Sequence, residues 1–150
     1  MRFERFQLID RVERLDRPRK AIVCRCDVPH ESSIFDGHFP GHPLLPGTLM
    51  IEAIAQSCGM LVLVLHEFRR MPVLIGVDNA RVRGMVKPGA VLAAEARLVQ
   101  EGAGYVAATG HVTHAGKKVA EAEIRLGTLP FPSEFLRGEA RKFAREIGLV

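Results

Sequence analysis

Hydrophobic and polar positions divide this chain into nine stretches. Residues 5–14 (RFQLIDRVER) and 19–28 (RKAIVCRCDV) mix apolar and charged positions over short spans and predict two strands joined by a charged turn. Residues 29–47 are rich in Pro, Gly, Ser and His and predict a loop. It is long for a compact domain, and long ordered loops tend to carry function. Residues 48–66 are apolar nearly all the way round, which predicts an enclosed helix rather than a surface one, with Thr48 as its N-cap. At 1.5 Å per residue that helix spans about 28 Å, the width of a small domain. Four further strands are predicted at 72–83, 90–100, 104–114 and 117–128, separated by the turn signals Lys87-Pro88-Gly89, Glu101-Gly102-Ala103-Gly104 and His114-Ala115-Gly116. Two strands, one buried helix and four strands give an α+β class, with an antiparallel sheet curled round a central helix. The tail, residues 130–150, predicts an amphipathic helix capped by Ser133 and stopped by Gly148. Phe135, Leu136, Ala140, Phe143, Ala144 and Ile147 fall on its apolar face, which docks on its own sheet or covers a site mouth or a partner.

Composition narrows the class. A chain of 150 residues that is 47% hydrophobic and 25% charged fits one globular domain, residues 1–150, with a single core. Tryptophan is absent, so aliphatic residues must fill that core. The net charge of +4 suits an acidic partner, but no nucleic-acid-reading motif accompanies the scattered basic residues. The apolar run 49–65 is interrupted by Glu52, Gln56, Ser57 and Cys58 and is shorter than the roughly 20 residues of a membrane span, so a buried helix is expected. Three cysteines and a charged start, Met1-Arg2-Phe3-Glu4-Arg5, fit a protein of the reducing cytoplasm. Cys24 and Cys26 lie two apart in a strand, share a face and read as small core hydrophobes.

The stretch GHFPGHPLLPGTLMIEAIAQ, residues 37–56, concentrates the candidate chemistry. Glu52 is a lone acid in an apolar helix. Such a group either neutralises and becomes able to donate a proton, or escapes to solvent near the helix start. Gln56, four residues on, is placed to hydrogen-bond and orient it. His38 lies in a loop restricted by Gly37, Pro40, Gly41, Pro43, Pro46 and Gly47, and a restricted loop holds a side chain where catalysis needs it. A surface role for His38 is the alternative. His38 and His42 have the spacing of a helical metal pair, but the prolines exclude that helix, so no metal is expected. Gly47, at a helix start and without a side chain, offers an N–H for a developing oxyanion. A base, an acid and an oxyanion donor suit proton abstraction beside a carbonyl with loss of a β-substituent.

These residues closely resemble the signature of bacterial 3-hydroxyacyl-[acyl-carrier-protein] dehydratases of the FabZ type, GHFP-x-x-P-x-x-PG-x-x-x-x-E-A-x-A-Q. Each fixed position is met, and His38 and Glu52 stand fourteen positions apart, as in that pattern. The sister FabA type carries Asp at the acid position, so Glu52 points to the FabZ type. Residues 8–12, 76–83 with Pro88-Gly89, and 116–122 are similar to further family segments. The resemblance implies the hot-dog fold and dehydration of a (3R)-3-hydroxyacyl carrier thioester to the trans-2-enoyl thioester, in fatty-acid or lipid A acyl-chain synthesis. It implies His38 as base, Glu52 as acid, and Gly47, Phe39 and Gln56 on the substrate side. It implies no cofactor beyond the phosphopantetheine of the acyl carrier protein. It also implies a homodimer whose two sites each draw on both subunits, with hexamers often built from such dimers. Arg81, Arg83 and Lys87 become candidates for docking the acidic carrier.

The chain departs from the family pattern in places. It starts after the usual Pro-His-Arg helix, and Val73, Leu74 and Ile75 replace aromatic residues before Gly76-Val77-Asp78. Ala90 stands where an acid commonly follows the Pro-Gly turn, and the tail is longer than usual. These features resemble a FabZ-like subgroup serving a dedicated carrier for very-long acyl chains. A hot-dog acyl thioesterase and a non-catalytic carrier-binding subunit are the rival functions, separated from a dehydratase by thiol release and by absence of turnover.

Overall fold

A computed structural model describes all 150 residues. A short turn of 3-10 helix, Phe3–Arg5, precedes strands β1 (Arg11–Asp16) and β2 (Ala21–Asp27). A one-turn helix α1 (Ser33–Gly37) and the long helix α2 (Gly47–Leu65) follow. Then come β3 (Met71–Val82), β4 (Val91–Gly102), β5 (Tyr105–His114), β6 (Lys117–Leu129) and α3 (Glu134–Glu146). The six strands form one sheet in the order β1-β2-β4-β5-β6-β3, with antiparallel neighbours throughout. Wrapped round α2, this sheet gives the hot-dog arrangement that the resemblance implies.

Period-two alternation explains how the sheet meets the helix. Ile22, Cys24 and Cys26 of β2 and Leu92, Ala94 and Ala96 of β4 are buried, while their alternate neighbours are less so. Cys24 and Cys26 do share the inner face, and burial pushes the Cys24 thiol up to about 11. Cys58 on α2 is pushed up to about 12 for the same reason, and Cys26 is raised further. Ile54, Cys58 and Leu61 turn α2 toward the core. Gly110 of β5 permits the close approach: a Cβ there would overlap the Ile54 side chain and lie 2.7 Å from the Glu95 carbonyl oxygen. Helix α2 is long and apolar enough to cross a membrane by length and composition, yet most of its residues are buried within the fold.

Several boundaries differ from the pattern-based expectation. The first strand starts at Arg11, because residues 2–7 close a turn in which Phe6 has φ +53° and Gln7 N–H donates to Arg2 O. The predicted loop contains α1, whose N-cap Ser32 accepts from Ile34 N–H at 3.3 Å. Thr48 is not the N-cap of α2. That position is Pro46, no side chain caps the helix, and Gly47 is its first residue. In the tail Ser133 does cap α3, accepting from Leu136 N–H at 3.2 Å, and Gly148 follows its end with φ +75°. Phe135 departs from the expected apolar face: it is 78% exposed, whereas Ala144 and Ile147 are buried.

The two sheet edges differ in chemistry. Strand β1 presents Arg11, Glu13 and Arg14, whereas β3 presents Val73, Leu74, Ile75 and Val77. Ile75 is 62% exposed, and β3 is irregular between Leu74 and Gly76 and again between Asp78 and Arg81. A long apolar edge is the kind that pairs with another chain.

Candidate active site

The proline loop is tied down by its own backbone. His38 N–H donates to Ile34 O at 3.0 Å, ending α1, and Leu44 N–H donates to His38 O at 2.8 Å. Phe39 and His42 exchange backbone hydrogen bonds at 3.1 and 2.8 Å, closing a tight turn. Leu45 N–H donates to Val86 O at 2.8 Å, which fastens this loop to the turn after β3.

His38 is fixed in orientation by these contacts. Its Nδ1 lies 3.0 Å from Leu44 O, a group that can only accept, so Nδ1 carries the proton and Nε2 the lone pair of the neutral ring. The Phe39 ring stacks on it with centroids 4.1 Å apart and 27° between planes. Phe39 is itself half exposed, so it supports the imidazole from the solvent side. Leu44 acts through its carbonyl, which no side-chain pattern reports, and sequence reasoning missed it for that reason.

Glu52 lies in the second turn of α2 and is half-buried. Gln56 Nε2 donates to Glu52 Oε1 at 3.0 Å, as the four-residue spacing predicts. The same amide donates to Phe6 O at 2.9 Å and accepts from Leu8 N–H at 3.0 Å. Gln56 therefore clamps the N-terminal segment onto α2 while holding the carboxylate. The signal for this clamp was Gln56 itself; its backbone partners, 48 and 50 residues away, carried none.

Gly47 opens α2 with no capping side chain near its N–H. A Cβ on Gly47 would lie 2.7 Å from Val82 Cγ2, so the bare glycine lets the end of β3 seat against the helix start. An uncapped helix N-terminus with a bare first residue offers N–H groups to a developing negative charge.

Glu52 and Gln56 open onto an apolar cavity of about 310 Å³. Ala55, Gly59, Met60 and Leu63 line it from α2. Met71, Pro72, Leu74 and Leu126 face them from the sheet, and Phe131, Leu136 and Ala140 complete it from the tail. His38 is not among its lining residues. Within one chain the acid and the imidazole thus serve different surfaces.

Of the three basic candidates, Arg81 and Arg83 both lie near Glu121. Arg83 is hydrogen-bonded and ion-paired to Glu121, which also receives Lys118 at 3.0 Å. These partners, Arg83 first, hold the Glu121 carboxyl down at about 2. Arg81 lines a charged cavity of about 520 Å³ on the outer face of the sheet, along with Asn79, Arg97, His111 and Glu121. Lys87 is exposed on the turn whose Val86 carbonyl holds the proline loop.

Residues 2–123 match the FabA-like domain. The chain is 41% identical over 118 residues to the 3-hydroxyacyl-[acyl-carrier-protein] dehydratase FabZ of Clostridium acetobutylicum, covering 78% of this chain and 83% of that one. It is 38% identical over 120 residues to the FabZ of Enterococcus faecalis, covering 79% and 84%. Among solved structures it is similar to a chain of the dehydratase heterocomplex ApeI:P of Xenorhabdus doucetiae, with a TM-score of 0.68 at 18% identity and 88% of each chain covered. It is also similar to a thioesterase-like protein of Ralstonia eutropha, with a TM-score of 0.63 at 16% identity, covering 77% and 82%. At such identities the solved structures speak for the fold, which hosts more than one chemistry. The sequence relatives are closer, and by them this chain belongs to the FabA-like family as a FabZ-type dehydratase.

Proposed function

We propose that the protein dehydrates (3R)-3-hydroxyacyl thioesters carried on an acyl carrier protein to trans-2-enoyl thioesters, in the cytoplasm and without a cofactor of its own. The observation that supports this reading is a Gln56-held Glu52 at the mouth of an apolar cavity, with a tautomer-fixed His38 on another surface of the same chain.

His38 Nε2 takes a proton from the α-carbon of the thioester. Charge developing on the carbonyl oxygen is met by the Gly47 N–H. The Cα–Cβ double bond forms as the Cβ–O bond breaks, and Glu52, in its protonated form, gives its proton to the departing hydroxyl, which leaves as water. The proton held by His38 returns to Glu52 through solvent. Phe39 holds the imidazole, and Gln56 holds the acid.

The active unit in this reading is a homodimer with shared sites. Its support is the contrast between the apolar β3 edge and the charged β1 edge, together with the separation of His38 from the cavity that Glu52 lines. Arg81 and Lys87, with Arg83 beside Glu121, provide the basic surface for an acidic carrier.

Turnover of 3-hydroxyacyl-carrier thioesters by the wild type, His38→Ala and Glu52→Gln tests the assignment. Each substitution is expected to lower kcat by about 10²–10⁴-fold, the range for a lost general acid or base. Undiminished turnover in either variant overturns that residue's role. Release of free thiol in place of enoyl product would make the protein a thioesterase. Carrier binding without any turnover would make it a non-catalytic subunit.

A further inference from the structure

The cavity beside Glu52 has a wall that the matched family domain does not supply. The FabA-like match ends at residue 123, whereas Phe131, Leu136 and Ala140 close the cavity from the segment beyond it. On α2 the lining residues Glu52, Gly59 and Leu63 form one stripe, at helical spacing. From Glu52 to Leu63 this stripe is about 16 Å long, the length of roughly a dozen extended methylene groups.

The tail is anchored so that it acts as a wall. Arg141 donates to Glu67 O at 3.4 Å and lies 5.4 Å from the centre of the Phe68 ring, just past the C-terminal end of α2. Ala140 therefore stands at the end of the cavity remote from Glu52. Ala144 and Ile147 are buried in the core, and Val12 N–H donates to Ile147 O at 2.7 Å. Helix α3 thus faces α2 across the cavity and is fixed at its far end. Near its start, Arg137 lies over the Phe131 ring at 5.7 Å and pairs with Glu134 at 3.0 Å.

We propose that Phe131, Leu136 and Ala140 form a distal acyl subsite, which binds the far half of a long, unbranched acyl chain and selects long substrates over short ones. The proposal rests on the dehydratase reading for the reaction, but the subsite itself needs only an acyl chain entering beside Glu52. Burying a methylene is favourable, so each carbon that reaches the wall adds affinity. A four-carbon substrate stops short of it.

The test compares dehydration of 3-hydroxytetradecanoyl and 3-hydroxybutyryl thioesters on one carrier. It uses the wild type, Ala140→Phe, which fills the subsite, and Leu136→Asp, which places a charge in it. Calorimetric binding of the matching enoyl-pantetheine thioesters runs alongside, and thermal melting confirms folding. In both variants the long-to-short ratio of kcat/KM is expected to fall at least tenfold, with the same fall in the ratio of affinities. Glu139→Ala, on the exposed side of α3, is expected to leave both ratios unmoved. Ratios that stay at the wild-type value in both cavity variants overturn the subsite while leaving the dehydratase reading intact. Affinity ratios that fall in a protein that dehydrates nothing support the subsite and overturn the dehydratase reading.

Discussion

At the scale of single residues, Gln56 does more than its place in the motif suggests. One amide holds Glu52, Phe6 O and Leu8 N–H together, and Leu8 is fully buried. Gln56→Ala is therefore expected to cost about 1–3 kcal/mol of stability in urea unfolding, the penalty for a buried donor left unmet. It should also lower kcat more than it raises KM, because the acid is misplaced while the acyl cavity stays. A fall in stability with kcat unchanged would reduce Gln56 to a structural clamp. The site's side chains were legible in the sequence because spacing carries them: fourteen positions between base and acid, four between acid and amide. What orients them was not legible. The Leu44 carbonyl that sets the His38 tautomer and the Phe6 carbonyl that meets Gln56 are main-chain groups, present at every residue and brought into place only by the fold.

At the scale of elements, the fit of α2 on the sheet depends on Gly110. Gly110→Ala puts a methyl group where the Ile54 side chain and the Glu95 carbonyl already sit. Overpacking of this kind is expected to cost about 1–3 kcal/mol, read as a lower urea midpoint, with a backbone shift between α2 and β5. An unchanged midpoint would mean that Ile54 moves aside freely. The order and type of the long elements followed from periodicity, and the starts of strands and helices did not. Residues 5–10 have strand-like composition, but residues 2–7 close a turn beneath Gln56, and Pro46 displaces Thr48 as the N-cap because its φ suits a helix start. Helix α1 is a single turn, too short for periodicity to report, and only Ser32 before Ser33-Ile34-Phe35 hinted at it. The tail shows the limits of an apolar face read from sequence. Phe135 and Leu136 are neighbours, yet only Leu136 reaches the cavity wall.

At the scale of the whole molecule, two further outcomes are expected. The buried thiols make the fold sensitive to alkali. Cys24 and Cys58 titrate at about 11 and 12 in the folded chain against 9.0 for an ordinary thiol. Each favours the fold fully below pH 9 and loses that contribution as pH rises through its folded value, at up to about 1.4 kcal/mol per pH unit. Urea unfolding at pH 8 and pH 10 should show the loss, and Cys24→Ala should flatten it; equal slopes in wild type and variant would discount the thiol. The second outcome concerns shared sites. Subunits of His38→Ala and Glu52→Gln, each inactive alone, are expected to regain roughly a quarter of wild-type activity when mixed and allowed to exchange. Half of the dimers are then mixed, and each mixed dimer holds one intact site. No recovery after verified exchange would place each site within one chain.

The bare apolar edge at β3 also bears on how activity scales with abundance. If base and acid meet only across that edge, a lone subunit has no working site at all. Below the dissociation constant of the pair, output then rises with the square of protein concentration, and halving the supply of chain cuts flux about fourfold. The same edge that invites a partner thereby becomes a threshold, making the enzyme nearly silent when scarce and proportionate once its subunits are plentiful.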